Sequence, residues 1–335
     1  MKTAVFLPNW VGDAVMATPA LAAIRRQWCD GEVIGVLRPY VGDVLEGTGL
    51  VDRVIEWDPR SDDRDASGWG LARRLRAERF DAAVLLPNSL RSAWMAWLSG
   101  ARRRIGFSRD GRRLLLTDPV PMTSRKTPYP VLDNYLKLAE RLGCESIDRR
   151  MQLAVSTDDE ADWRAIRARR GGVLGQRAYV CFNPGGAFGA AKHWPARLFG
   201  ELARRIVTTS ELAVVVVCGP SEREEAGEIV AAADDSRVVS LADETPSLGL
   251  TKAVVRHAAA LVTTDSGPRH FAAPFDVPVV TVFGPTHTAW SETYFDKAVH
   301  VQLDVECGPC QQRTCPEGHH RCMVDLAPER VFQEL

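Results

Sequence analysis

The stretch Ala260-Leu-Val-Thr-Thr-Asp265-Ser266-Gly267-Pro268-Arg269-His270-Phe-Ala-Ala273 reads as a buried strand, a tight turn and a short helix. Its β-branched apolar run stops at Asp265. Ser266 and Gly267 then open a helix whose first backbone N–H groups have no intrahelical partner. Those N–H groups, with the positive end of the helix dipole, suit a phosphate or diphosphate. Gly267 permits close approach of a ligand to the backbone, Pro268 is at home in a first helical turn, and His270 falls one turn in, near the same mouth. Asp or Ser before a helix is equally an ordinary N-cap, so the anion reading needs support from other parts of the chain.

That support comes from two more loops that follow strands in the same half. Asn183-Pro184-Gly185-Gly186-Ala187-Phe188-Gly189-Ala190-Ala191-Lys192-His193-Trp194-Pro195 is rich in glycine and ends in a lysine at a helix start. Its small residues, Gly185 and Gly186 among them, let the backbone wrap a phosphate, and Lys192 offers a mobile point charge to neutralise it. Gly219-Pro220-Ser221-Glu222 places a carboxylate at the start of the next helix, where it suits the hydroxyls of a ribose. Loops at the carboxyl ends of neighbouring strands converge on one sheet edge, so the three together favour a nucleotide diphosphate site. Neither a Walker A spacing nor a Gly-x-Gly-x-x-Gly after the first strand is present, which argues against an ordinary NTPase or dinucleotide dehydrogenase.

The rest of the chain repeats the same grammar. Strands are predicted at residues 3–7, 33–37, 51–57 and 82–86, and helices at 14–28, 71–79, 89–98, 132–142 and 158–170. After the punctuation Arg169-Arg170-Gly171-Gly172 a second series follows, with strands at 178–182, 212–218, 238–241, 260–263 and 278–283. Alternating strands and helices predict parallel sheets with helices on both faces. The 335 residues suffice for two domains, expected at 1–170 and 171–335, with a cleft between them. In the first domain the loop Pro8-Asn9-Trp10-Val11-Gly12-Asp13 leads into a helix. Asp13 there is either a capping residue or a general base for a hydroxyl nucleophile, and Trp10 either stacks on a sugar or belongs to the core.

A composition of 45% hydrophobic and 25% charged residues is that of an ordinary soluble globular protein. Met1-Lys2-Thr3 runs straight into an apolar strand, and no run approaches the ~20 apolar residues of a membrane span. A cytoplasmic protein is expected, attached to a membrane at most from its surface. The net charge of −1 conceals an excess of five basic residues in 1–170 and of six acidic ones in 171–335. Arg102-Arg103-Arg104, Arg109, Arg112-Arg113 and Arg125-Lys126 read either as a solvated face or as a surface for an anionic partner. No nucleic-acid-binding motif is present, and no nucleic-acid partner is expected.

Pro8-Asn-Trp-Val-Gly-Asp-Ala-Val-Met-Ala-Thr-Pro-Ala-Leu21, the Pro184–Pro195 loop, Asp265-Ser-Gly-Pro-Arg-His270 and Phe283-Gly-Pro-Thr286 together resemble the lipopolysaccharide heptosyltransferases. The resemblance runs over nearly the whole chain, and its most specific run is Cys307-Gly-Pro-Cys310 with Arg313-Thr-Cys315-Pro-Glu-Gly-His319-His320-Arg-Cys322-Met323. It implies a GT-B fold of two Rossmann-like domains and an inverting transfer of L-glycero-D-manno-heptose from ADP-heptose to the anionic lipopolysaccharide inner core. By position, Asp13 would be the base and Lys192 would stabilise the leaving diphosphate. Glu222 would bind the ribose, Asp265 the heptose hydroxyls, and Ser266, Gly267 and His270 the diphosphate. No divalent metal is then required for chemistry. The basic region from Arg102 to Lys126 would steer the acceptor and favour peripheral contact with an anionic membrane leaflet. The competing readings are a transferase for another nucleotide sugar, a sugar-nucleotide epimerase on the same scaffold, and a non-catalytic nucleotide-sugar sensor.

Of the eight cysteines, Cys29, Cys144, Cys181 and Cys218 lie singly and read as small packing residues. Cys307, Cys310, Cys315 and Cys322 fall within 16 residues beside His319 and His320. Their spacing suits a structural tetrahedral zinc ion, or reduced thiols that pack or pair reversibly. Gln311 after the CxxC excludes covalent haem attachment.

Overall fold

The computed structural model describes all residues except Arg64, residues 123–126 and residues 187–188. The chain divides into two compact units. The first comprises Met1–Ala154 with Ala289–Tyr294, and the second Val155–Thr288 with Phe295–Leu335.

The first unit alternates β1 (Lys2–Phe6), α1 (Val11–Met16), α2 (Thr18–Gln27), β2 (Glu32–Leu37), α3 (Pro39–Leu45), β3 (Arg53–Glu56), α4 (Gly68–Ala77), β4 (Ala82–Leu85), α5 (Leu90–Leu98), β5 (Arg103–Phe107), β6 (Asp118–Val120) and α6 (Val131–Leu142). All strand pairs are parallel, in the order β3-β2-β1-β4-β5-β6. The strand order reverses between β1 and β4, which is the switch point where open α/β sheets offer their ligand crevice. β1 is buried along Thr3–Phe6, as a strand covered by helices on both faces must be.

The second unit runs through α7 (Thr157–Arg169), β7 (Tyr179–Asn183), α8 (Ala196–Thr209), β8 (Ala213–Val216), α9 (Arg223–Ala233), β9 (Val238–Ser240), α10 (Leu248–Arg256), β10 (Ala260–Thr264), β11 (Val279–Phe283), β12 (Ala298–Gln302), α11 (Arg321–Val324) and α12 (Pro328–Phe332). Its parallel sheet has the order β12-β11-β10-β7-β8-β9, so its switch point lies between β7 and β10. Phe182, Trp194, Phe199 and Phe283 are fully buried around these central strands. The end of the chain is tied in by Trp194, whose indole N–H donates to the Leu326 carbonyl at 3.0 Å.

The boundary falls at 154/155, earlier than the Arg169-Arg170-Gly171-Gly172 punctuation. The physical reason is α7, which packs on α10: Glu160 accepts from His257 Nε2 at 2.9 Å and pairs with Arg256 at 3.2 Å. The return of Ala289–Tyr294 to the first unit is likewise invisible in the pattern. Tyr294 Oη donates to Asp133 Oδ2 at 2.6 Å, and Asp133 also takes Arg149 at 2.7 Å. The long helix expected over 14–28 is two helices that meet at Ala17.

The basic run is also different from its expected form. Arg103 and Arg104 begin β5, and their guanidinium groups are taken up within the fold: Arg103 by the Leu142 and Arg141 carbonyls and the Asp118 carboxylate, Arg104 by the Leu115 and Ala101 carbonyls. Arg112 is completely buried. It donates to the carbonyls of Phe107 (2.7 Å), Pro87 (2.6 Å) and Ser89 (3.3 Å) and to Asn88 Oδ1 (3.2 Å), which clamps the loop after β4. Burial pushes its pKa down to about 10. Arg102 and Arg113 remain exposed, while Arg125 and Lys126 lie outside the described residues. The cluster is therefore not one continuous basic surface among the described residues.

Candidate active site

In the second unit three loops leave the carboxyl ends of β7, β8 and β10, as the sequence pattern requires. The loop after β7 and the turn after β10 are locked together by side chains. Asn183 Nδ2 donates to Thr263 Oγ1 at 3.1 Å and to Ser266 Oγ at 2.8 Å, and Thr264 Oγ1 donates to the Gly185 carbonyl at 3.0 Å. Gly185 and Gly186 thus sit beside Ser266, at the switch point of the sheet.

Lys192 crosses from its loop to the turn. Its ammonium lies 2.5 Å from Asp265 Oδ2 and 3.1 Å from the Asp265 carbonyl, and only 8% of the residue is exposed. Thr286, from the Gly284-Pro285-Thr286 loop after β11, donates to the same carboxylate oxygen at 2.7 Å. Burial by itself would raise the Asp265 carboxyl. The Lys192 charge, its hydrogen bond and that of Thr286 overcome this and hold it below the usual carboxylate range. The result is a fixed ammonium at a sheet edge, in contact with a carboxylate that stays ionised at neutral pH.

Glu222 stands at the head of α9 and is half-buried. Its carboxylate accepts the Gly219 N–H at 2.7 Å and lies so close to Gly185 that a Cβ there would run into it. A side chain at 185 would displace the Glu222 carboxylate from this position. Gly267, by contrast, has an ordinary right-handed conformation, φ −58° and ψ −52°, so its backbone does not demand a glycine.

The helix expected after Asp265 is only a 3₁₀ turn, Pro268–Phe271, followed by another at Ala273–Phe275. Pro274 lacks the N–H that would continue a ladder to the His270 carbonyl. A helix dipole therefore does not carry an anion site here, and the fixed charge at this edge comes from Lys192. Arg269 points away into the sheet layer: it is buried, with Nε donating to Thr281 Oγ1 at 3.1 Å and Nη2 2.6 Å from His300 Nε2. Its guanidinium also lies over the Phe283 ring.

His270 is buried, and among the described residues its Nδ1 has no hydrogen-bond partner. Burial, and then the neighbouring Arg269 charge, push its pKa down to about 3. It is a neutral imidazole at pH 7 and meets a diphosphate, if at all, as a neutral donor. The linkage has a definite sign. The unfolded chain takes up this proton below about 6.5 and the native chain does not until about 3, so stability falls as pH drops through that window. His270→Gln is expected to flatten the loss by up to about 1.4 kcal/mol per pH unit, read as urea midpoints of both proteins between pH 6.5 and 4. Parallel curves would refute it.

The cysteine-rich segment abuts these loops. The Arg313 carbonyl accepts the Ala191 N–H at 3.1 Å, next to Lys192, and the Gln311 N–H donates to the Pro285 carbonyl at 2.7 Å, next to Thr286. Cys307, Cys310, Cys315 and Cys322 are all free thiols. Cys307 Sγ lies 3.9 Å from His319 Nε2, whereas Cys315 Sγ accepts the His320 N–H at 3.4 Å. Burial, and then the nearby Cys310, Cys307 and Cys315, push the Cys322 thiol up. Among the described residues no three His, Cys, Asp or Glu side chains are grouped to hold a metal ion, so the segment as folded presents no ready tetrahedral set. What it does present is a brace behind both loops that fix Lys192 and Thr286. Neither this brace nor the place of Thr286 in the site is legible in the loops taken singly. The Phe283-Gly-Pro-Thr286 motif was the available signal.

In the first unit the loop after β1 leads into α1. The N-cap is Trp10, which makes no side-chain cap, and Asp13 sits half-buried in the first turn. Asp13 is therefore not the capping residue. It lies close enough to the buried Tyr135 of α6 to add to the effect of burial in holding that hydroxyl protonated. Trp10 is about half exposed, which favours a contact role over a core one.

Both sheets and their loops have counterparts among known proteins. The lipopolysaccharide heptosyltransferase 2 of Escherichia coli K12 is 30% identical over 355 residues, covering 100% of this chain and 97% of that one. The lipooligosaccharide heptosyltransferase 2 of Campylobacter jejuni is 26% identical, again across 100% of this chain and 98% of the relative. Among solved structures, the E. coli ADP-heptose lps heptosyltransferase II superimposes with a TM-score of 0.80 at 26% identity, over 100% of this chain and 97% of that one. A family 9 glycosyltransferase of Veillonella parvula gives 0.83 at 22% identity, over 99% and 95%, and shows the shared fold. These matches identify the two parallel sheets as the GT-B pair of Rossmann-like units. The description glycosyltransferase family 9 (heptosyltransferase) fits residues 69–321, and with the full-length likeness to heptosyltransferase 2 it places the chain in that family of transferases.

Proposed function

We propose that this glycosyltransferase moves L-glycero-D-manno-heptose from ADP-heptose, with inversion, to the inner core of lipopolysaccharide. The observation that carries the reading is the buried Lys192, held against Asp265 and Thr286 at the switch point of the second sheet. In an inverting displacement the acceptor hydroxyl attacks the anomeric carbon while the bond to the diphosphate breaks. Negative charge grows on the leaving ADP, and a fixed ammonium stabilises that charge most. Lys192 supplies it, and Asp265 both orients Lys192 and offers its carboxylate to heptose hydroxyls. Glu222 takes the ribose. Ser266, Gly267 and neutral His270 line the diphosphate, with Gly185 and Gly186 giving it room. Asp13 removes the proton of the attacking hydroxyl. As proposed, no step runs through a metal.

The acceptor, built on phosphorylated lipid A and acidic sugars, is anionic and lipid-borne, so catalysis at the inner face of the cytoplasmic membrane with peripheral attachment belongs to the same proposal. No helix of the described chain is long and apolar enough to cross a membrane. The test is calorimetric titration with ADP, UDP and GDP. Binding of ADP in preference to the others, followed by turnover of ADP-heptose on a heptose-deficient core, is expected. Preference for UDP would overturn the donor.

A further inference from the structure

α5 has two faces. Ser92, Ala93, Met95 and Ala96 are buried against the sheet, while Leu90, Trp94 and Trp97 stand exposed along one side. The two indoles pack on each other with centroids 5.2 Å apart. The 3₁₀ turn Arg112–Leu115 packs against α5, anchored through the Arg112 bonds to Ser89 and Ser92, and carries Leu114 at 91% exposure. α4 also packs on α5, and its first turn carries Trp69 at 73% exposure.

Single exposed apolar residues need no explanation, but two stacked indoles with a leucine on the same face of one helix do. Its charge setting is equally one-sided. No Asp or Glu occurs between Asp81 and Asp110, nor in α4 or the 112–115 turn, and Arg91 and Arg113 stand exposed beside the apolar residues. Tryptophans with an apolar body and a polar N–H, on a helix that carries Arg91 and no acidic residue, match the interfacial zone of an anionic bilayer. A protein partner would be expected to meet both charge signs.

We propose that the outward face of α5, with Leu114 beside it, docks the first unit onto an anionic phospholipid surface. This rests on the reading that the acceptor is lipid-borne, and it moves the contact from the basic run to an apolar face that the sequence pattern did not reveal. The leaflet then supplies both the docking surface and the acceptor, so the enzyme searches in two dimensions.

The experiment is flotation with phosphatidylcholine vesicles, with and without phosphatidylglycerol, at low and high salt. The chain is expected to float with phosphatidylglycerol at low salt and to remain behind with phosphatidylcholine alone. Trp94→Ala/Trp97→Ala and Leu114→Asp are each expected to reduce partitioning about tenfold or more, and Arg91→Glu roughly tenfold at low salt only. All four positions are exposed, so the variants are expected to keep the wild-type thermal midpoint and ADP affinity. Transfer to a delipidated, water-soluble acceptor is also expected to stay unchanged, which separates the two proposals. Wild-type protein that never floats, or variants that float as well as it does, overturns the docking face whatever the transfer assay gives. Absence of transfer to the soluble acceptor by wild type faults the functional reading instead. A concentration-dependent dimer lost in the tryptophan variant, without flotation, would assign the face to a second copy and overturn the membrane.

Discussion

Replacing Lys192 by alanine is expected to lower kcat with ADP-heptose by about 10²–10³-fold and to weaken ADP binding in the calorimeter. That is the cost of removing one preorganised donor aimed at developing negative charge. The argument rests on how the ammonium is held. It is almost wholly buried, 2.5 Å from Asp265 Oδ2, and a third group, Thr286, fixes the same oxygen. It therefore needs no reorganisation as the leaving group forms. The same burial complicates the single variant. Without Lys192, Asp265 becomes a buried charge that has lost its principal counter-ion, and breaking one side of such a pair costs about 3–5 kcal/mol. The double variant Lys192→Ala/Asp265→Ala separates the two effects, because it removes the stranded carboxylate and should recover most of the stability while leaving turnover low. Acid titration gives an independent check. Asp265 is held below its ordinary value, so its contribution is present at pH values above the unfolded carboxyl range and is lost as pH falls through the folded one. Wild type should lose stability there more steeply than the double variant. Full turnover in the double variant would remove Lys192 from the chemistry.

The pairing of these two residues was not legible in the chain, and the reason is distance. Lys192 and Asp265 are 73 positions apart, and their meeting is a consequence of β7 and β10 being neighbours, which hydrophobic alternation does not specify. What the chain did show was each loop separately: glycine where Glu222 approaches Gly185, a lysine at the end of a small-residue run, an Asp at the end of a β-branched strand. The strands that escaped notice were β5, β6 and β12. β5 opens with Arg103-Arg104, and a strand whose first side chains are arginines looks like a surface charge run until the carbonyls that receive them are known. β12 carries His300, which reads as a polar interruption although it pairs with buried Arg269. The short helix after Asp265 failed for the opposite reason. The N-terminal signals were all present, and Pro274, which cannot donate to a second helical turn, kept the segment to single 3₁₀ turns. The exposed face of α5 was hidden because Leu90, Trp94 and Trp97 have the spacing of a core-facing stripe, and only the packing shows that Ala93 and Ala96 face inward instead.

Asp13→Asn should remove nearly all turnover, by about 10²–10⁴-fold, and leave ADP affinity where it was. The substitution keeps the size of the side chain and its hydrogen-bonding oxygen but abolishes its basicity. The structural alternative for Asp13 was a helix cap, and it is weakened by the finding that the N-cap position belongs to Trp10 while Asp13 sits inside the first turn. Its position in the first turn, half-buried and not at the cap, leaves the carboxylate open to an incoming hydroxyl. Burial, and then the nearby Asp13 charge, keep the Tyr135 hydroxyl protonated, so Tyr135 does not compete with Asp13 as a base. ADP affinity is assigned to residues of the second unit, so a base in the first unit affects kcat without affecting that binding. A merely structural Asp13 predicts a different pattern: a lowered thermal midpoint, with turnover falling only in proportion to the folded fraction. Measuring kcat, the ADP dissociation constant and the thermal midpoint on the same preparation distinguishes them, and retention of more than about a tenth of wild-type kcat would rule out the general-base role.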